Sequence, residues 1–366
     1  MRILVLVSDA FGGFGGIAKF NRDFIGALCA YPGVAEVVAV TRRQPLPLEP
    51  IPPKLTYVTA GINGILRYCL TTLRGLVTGG KYDLICCGHL NLLPVAYLAK
   101  LKMRVPLLAM MHGIEAWQPT GSRLSNLLVP KVDAFIAVSE ITKKRFLQWA
   151  KMKGDKVFIL PNALELQGYR VGAKDSDLLQ RYGLTGKTVL LTLGRLWATD
   201  NYKGIDEVME LLPALAERIP EIAYLVVGEG DDRGRLEAKA RSLGVRDRVI
   251  FAGFIPEEEK ADHYRLADAY VMPGWGEGFG IVYLEAMACG IPTLGSKLDG
   301  SREALRDGAL GILVDPHSRE ELRQGLLEVL KRPKGIIPPG LSYFSLENFH
   351  RRCHDIIRQI LEKRDD

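Results

Sequence analysis

Two glutamates stand eight positions apart in Glu277-Gly278-Phe279-Gly280-Ile281-Val282-Tyr283-Leu284-Glu285, and Gly274 and Gly276 precede the first of them. Carboxylates accept hydrogen bonds well from the neighbouring hydroxyls of a sugar. The glycines let backbone approach a ligand closely, and the N–H groups of Phe279 and Gly280 at a helix start suit a phosphate. A second group is Gly194-Arg195-Leu196 followed by Lys203-Gly204. Arg grips two phosphate oxygens in a fork and Lys acts as a point charge, so the pair can neutralise a diphosphate leaving group. A third is Asp9-Ala10-Phe11-Gly12-Gly13-Phe14-Gly15-Gly16. Gly15 and Gly16 open a helix there, where free N–H groups and the positive dipole end can take a phosphate or a sugar hydroxyl. The bland readings are a capped helix with two incidental acids, two solvated surface cations and a tight turn.

These residues need rigid elements to place them. Continuous apolar runs at 3–8, 36–41, 82–87, 106–111, 134–139 and 157–160 predict six parallel strands buried on both faces. Helical stretches at 17–31, 92–101 and 140–151 lie between them, which gives a doubly wound sheet. Residues 161–187 read as a polar, Gly-containing linker. A second series follows, with strands at 188–193, 223–227, 249–252, 269–272, 292–294 and 312–314 and helices at 203–218, 233–243, 280–289 and 320–330. The Pro/Gly-rich stretch 333–342 reads as a second crossing before an amphipathic helix near 346–361. We therefore expect two domains, 1–165 and 166–345, with the terminal helix 346–366 packing back onto the first. Two such sheets facing one cleft would bring their carboxyl ends to a shared ligand.

The bulk numbers fit this division. A chain of 366 residues is long for one core, and 48% apolar with 25% charged residues is ordinary for globular protein, with disorder expected only in loops and the charged tail 362–366. The apolar start, residues 1–9, is too short for a secretory signal, and no apolar run is long enough to span a membrane. The six cysteines lack metal or redox spacing and read as reduced structural thiols of a cytoplasmic protein. Residues 1–165 carry 20 Lys and Arg against 10 Asp and Glu, a net +10, whereas residues 166–366 carry 28 against 32, a net −4. A basic first half suits an acidic partner: nucleic acid, anionic lipid or a phosphorylated acceptor. Residues 63–81 include apolar Ile65, Leu66, Tyr68, Leu70, Leu73, Leu76 and Val77 together with Arg67, Arg74 and Lys81. That pattern fits either a core helix or one lying on an anionic bilayer.

The block 274–292 resembles the signature of the retaining glycosyltransferases of group 1, family 4, which have the GT-B fold. Arg195 and Lys203 resemble that family's basic pair, and the loop 12–16 its acceptor-side loop. The resemblance spans nearly the whole chain. It implies an α/β GT-B architecture of two Rossmann-like domains around a central cleft. It implies transfer of a sugar, with retention and without a metal or other cofactor, from a UDP-sugar or GDP-mannose to a saccharide or lipid-linked acceptor. Under it, Glu277 contacts the donor sugar, Glu285 holds the ribose, and Arg195 and Lys203 hold the diphosphate. His112, in Met111-His112-Gly113, stands where the family has an active-site histidine. The leaving phosphate itself would help deprotonate the acceptor. Polysaccharide, lipopolysaccharide or glycolipid synthesis at the inner face of a membrane is the setting implied, with no nucleic-acid partner. One departure touches the donor side: many members have Gly-Gly-x-x-Glu where this chain has Asp299-Gly300-Ser301-Arg302-Glu303.

Competing readings stay open at this point. Gly13-x-Gly15-x-x-Ala18, with Arg42 and Arg43 ending the second strand, loosely fits an NADP-dependent oxidoreductase. A non-catalytic nucleotide-sugar sensor would share the same clamp. A glycosidase would use two carboxyl groups across one bond, but the adjacent cations suit a diphosphate better. Asp175-Ser176-Asp177 has an acid-x-acid form used for metal–nucleotide binding in another transferase fold, here in the linker.

Overall fold

A computed structural model describes residues 1–165 and 168–362 of the chain. The tail residues 363–366 lie outside the described residues. Two compact units divide the chain: Met1–Ala163 with Leu346–Asp366, and Leu164–Ser345.

The first unit runs β1 (Arg2–Val7), α1 (Gly16–Ala30), β2 (Glu36–Thr41), β3 (Leu55–Val58), α2 (Ile65–Thr78), β4 (Leu84–Cys87), α3 (Leu93–Met103), β5 (Leu107–Met111), α4 (Arg123–Leu128), β6 (Ala134–Ala137), α5 (Glu140–Ala150) and β7 (Val157–Ile159). All pairings are parallel, in the order β3-β2-β1-β4-β5-β6-β7. The sheet has seven strands where six were expected. The extra strand, β3, is four residues long at the edge and follows a proline-rich stretch, so it carries little apolar signal. Central β1 is buried from Ile3 to Val7, which explains its unbroken apolar run.

The second unit runs α6 (Ser176–Arg181), β8 (Thr188–Leu193), α7 (Ile205–Ala216), β9 (Ile222–Val227), α8 (Arg233–Ser242), β10 (Val249–Gly253), α9 (Lys260–Leu266), β11 (Ala269–Val271), α10 (Ile281–Ala288), β12 (Thr293–Ser296), α11 (Ser301–Ala304), β13 (Ile312–Val314) and α12 (Arg319–Val329). Its six parallel strands are ordered β10-β9-β8-β11-β12-β13. The stretch read as a linker holds α6, and the Asp175 carboxylate accepts from Leu178 N at 2.9 Å as its N-cap. That bond explains Asp175 without a metal. Among the described residues, no group of three or more His, Cys, Asp or Glu is placed to hold a metal ion.

The last helix, α13 (Leu346–Glu362), belongs to the first unit. It buries Phe349, Cys353, Ile356, Ile357 and Ile360, one stripe of its surface. Phe349 meets the Phe20 ring of α1 edge-on at 5.6 Å, and His354 Nε2 bonds Ala27 O at 2.8 Å. Full burial of each large apolar side chain contributes about 1.5–3 kcal/mol, so the stripe suffices to recruit the helix. All six cysteines are unpaired, five of them buried, and burial pushes the Cys87 thiol up to about 12.

Candidate active site

In an open parallel sheet, ligands gather where the strand order reverses, beyond the carboxyl ends of the strands. In the second unit the reversal falls between β8 and β11. The loop after β8 carries Arg195 and Lys203, and the loop after β11 carries Glu277. Lys203 Nζ donates to Glu277 Oε1 at 2.6 Å, with the two side chains only 8% and 17% exposed. The Lys203 ammonium also lies 5.2 Å from the Tyr202 ring centroid. Arg195 is mostly exposed, pairs with Asp200 at 3.0 Å, and lines one shallow crevice with Lys203.

Helix α10 follows the Glu277 loop. Its N-cap, Gly280, has φ +87°, no side chain caps it, and its first turn holds no acid. The first N–H groups of a helix have no intrahelical acceptor and carry a partial positive charge, which leaves this end suited to an anion. Helix α7 differs: Asp206 and Glu207 already occupy its first turn. The Phe279 ring is buried, 5.5 Å from Phe344, so only the backbone of residue 279 has a use at the site.

Glu285 is placed differently. It is 1% exposed, and its Oε2 accepts from the buried Tyr264 hydroxyl at 2.7 Å. Lys260 Nζ lies 3.8 Å from its other oxygen. One oxygen of this carboxylate therefore has a protein donor at hydrogen-bond distance. Eight positions separate the two glutamates, yet one meets Lys203 and the other the core.

Asp299, noted above only as a departure, holds the Glu277 loop. Its Oδ2 accepts from Glu277 N at 2.9 Å, and its Oδ1 from Ser301 N at 3.0 Å and Ser301 Oγ at 2.6 Å. Gly300 N donates to Glu277 O at 2.8 Å, so both backbone groups of Glu277 are tied to residues 299–300. A Cβ on Gly300 would stand 2.1 Å from Gly278 O, so only glycine fits. Burial, the largest cause, pushes the Asp299 carboxyl up to about 6. The Asp-x-Ser pattern, in which a carboxylate bonds the backbone two residues on, was the readable signal.

In the first unit the order reverses between β1 and β4. Gly12 and Gly13 are packed tightly by Leu46 and Ala18, whereas nothing lies within 4 Å of a Cβ placed on Gly15 or Gly16. Helix α1 begins there, again with neither a capping side chain nor an acid in its first turn. Half-buried His112, just after β5, places its Nε2 2.8 Å from Gly88 O. A carbonyl only accepts, so Nε2 carries the proton and Nδ1 keeps its lone pair. Burial drives the His112 pKa down to about 4, with the Gly88 bond and the Asp9 charge opposing it. The ring is neutral at physiological pH. Asp9 was not singled out in the sequence; Ser8 Oγ donates to it at 2.8 Å and Arg43 pairs with it at 3.6 Å.

Residues 14–167 match Glycosyltransferase Family 4, and residues 177–336 match Glycosyl transferases group 1. The chain is 31% identical over 294 residues to the GDP-mannose-dependent alpha-(1-6)-phosphatidylinositol monomannoside mannosyltransferase of Mycolicibacterium smegmatis, covering 75% of each chain. The chain belongs to the group 1 glycosyltransferases. Another relative is the phosphatidyl-myo-inositol mannosyltransferase of Mycobacterium leprae, 30% identical over 81% of this chain and 74% of that one. Among solved structures, Anabaena HepE in complex with UDP superposes with TM-score 0.77 at 21% identity, covering 98% of this chain and all of that one. Sucrose-phosphate synthase from Thermosynechococcus elongatus gives 0.78 at 22%, covering 99% and 100%. These likenesses establish the GT-B fold for this glycosyltransferase. Membership of this family does not favour the NADP oxidoreductase suggested by Gly13-x-Gly15-x-x-Ala18, or a non-catalytic sensor.

Proposed function

We propose that this glycosyltransferase moves a mannosyl residue from GDP-mannose to a lipid-linked acceptor bearing a polyol or saccharide head, with retention and without a metal. The 2.6 Å contact of Lys203 with Glu277 at the β8/β11 reversal carries the reading, because it sets a cation and a hydroxyl acceptor side by side. The donor diphosphate lies against Lys203, Arg195 and the uncapped start of α10, which take up the charge released as the glycosidic bond breaks. The free oxygen of Glu277 accepts from sugar hydroxyls. On the first unit, neutral His112 offers Nδ1 to a hydroxyl, and the open backbone at Gly15 and Gly16 admits the acceptor. The leaving phosphate takes the acceptor proton, so no side chain is needed as base.

The mannosyl donor and lipid acceptor rest on the relatives, two of which are mannosyltransferases of phosphatidylinositol lipids. An exposed apolar face on α2 supports the lipid. Tyr68, Thr72 and Leu76 turn inward, while Leu66 (78% exposed), Leu70 (57%), Leu73 (41%) and Val77 (69%) form an outward stripe beside exposed Arg67 and Arg74. An outward apolar stripe rimmed by cations suits an anionic interface. Among the described residues no helix is long and apolar enough to cross a membrane. The test incubates the protein with GDP-mannose, UDP-glucose or UDP-galactose, phosphatidylinositol vesicles and EDTA. Mannosyl-lipid formed from GDP-mannose alone, with the α-linkage kept, is expected. Transfer only from a UDP-sugar, or only with added metal, would overturn that part of the reading.

A further inference from the structure

A cavity of about 640 Å³ opens on the first unit at the end of the sheet opposite His112 and Gly15. Its rim is formed by residues just before β5, β6 and β7: Val105 and Pro106, Asp133, and Lys156. His112 stands six residues beyond Pro106, about 20 Å along an extended strand, so this cavity is separate from the transfer site. The volume falls in the range of ligand pockets.

Its chemistry is divided. Leu101, Val105, Pro106, Phe158 and Ile360 give it apolar lining. Lys100, Arg104 and Lys156 also line it, against a single acid, Asp133. That acid is already committed: Lys100 Nζ pairs with its Oδ2 at 2.7 Å and Leu107 N donates to the same oxygen at 2.7 Å. Arg104 and Lys156 have no carboxylate partner among the described residues, so among those residues two positive charges border the cavity uncompensated. Arg104 is held there as the left-handed C-cap of α3, φ +57°. A sugar or a base would need several acceptors on the walls, and among the lining side chains only Asp133 provides one.

We infer that this cavity is a second ligand site, for a phosphate-bearing amphiphile whose anion lies between Arg104 and Lys156 and whose apolar part lies along Leu101, Val105, Phe158 and Ile360. The inference is independent of which sugar the enzyme transfers. Dihexanoyl phosphatidic acid, kept below its micelle concentration, is the probe for titration calorimetry on the full chain. One saturable site is expected, with inorganic phosphate and dihexanoyl phosphatidylcholine each at least tenfold weaker. Arg104→Gln/Lys156→Gln should weaken binding at least tenfold with an unchanged urea midpoint and transfer rate. Leu101→Glu, at a position 56% exposed, should do the same and guards against misfolding of the double variant. No binding, wild-type affinity in both variants, or phosphate alone binding as tightly as the lipid would overturn the assignment.

Discussion

At the carboxyl ends of β8 and β11 a lysine and a glutamate hold each other at 2.6 Å in a nearly buried pair. At the carboxyl ends of β1, β4 and β5 the polar groups are Asp9 and two half-buried histidines, near exposed glycines with open space around them. The two sheets share a topology and diverge at the loops. One reversal point is set up for charge, with its carboxylate oriented before any phosphate arrives. The other adds a neutral hydrogen-bonding group beside the charged Asp9, because burial strips His112 of its proton. Preorganised charge matters most where charge develops during reaction, and neutral acceptors suffice where hydroxyls are only oriented.

Breaking the charged pair should have the largest effect. Lys203→Ala and Glu277→Ala should each slow transfer about 10²–10³-fold under saturating donor. A drop of less than threefold in steady-state rates would place the chemistry elsewhere. Next, Asp299→Ala removes the acceptor of Glu277 N and two Ser301 donors, and should destabilise the chain by about 1–3 kcal/mol in urea unfolding. It should also slow transfer, whereas a loss of stability with transfer intact would make Asp299 merely structural. Glu285→Gln should cost a similar amount at most through its bond to Tyr264, and a wild-type urea midpoint would show that bond to be unimportant.

The smallest expected effect separates the units by pH. His112 has a folded pKa of about 4, below the 6.5 of an unfolded histidine, so the first unit loses stability as pH falls from 6.5 towards 4. Burial lowers His89 and His350 too, which adds in the same direction. Asp299 has a folded pKa of about 6, above its usual 3.8, so its contribution strengthens the second unit as pH falls from 6 towards 4. Glu207, raised by burial, acts alike. Hydrogen exchange corrected for intrinsic rates should therefore show falling protection in β1, β4 and β5 and rising protection in β8, β11 and β12 on acidification. Parallel changes in both sheets would contradict the contrast.

Much of this was legible because buried parallel strands are written as unbroken apolar runs, and because glycines beside charged residues mark the loops that follow them. Three kinds of feature were not. Short elements without a buried face leave no periodicity: α6 buries none of its residues, and β3 is a four-residue edge. Pairing across distance is tertiary: nothing in the order of residues joins Lys203 to Glu277, 74 positions on. Environment is also tertiary: Glu285 is identifiable by its spacing from Glu277, but only packing against Tyr264 reveals that it is buried.

Titration of GDP and UDP against wild-type protein, Lys203→Ala and Arg195→Ala measures most directly whether the paired crevice holds a diphosphate. One nucleotide should bind the wild type, with affinity at least tenfold lower in Lys203→Ala and a smaller loss in Arg195→Ala. Equal affinity in all three proteins would contradict the account.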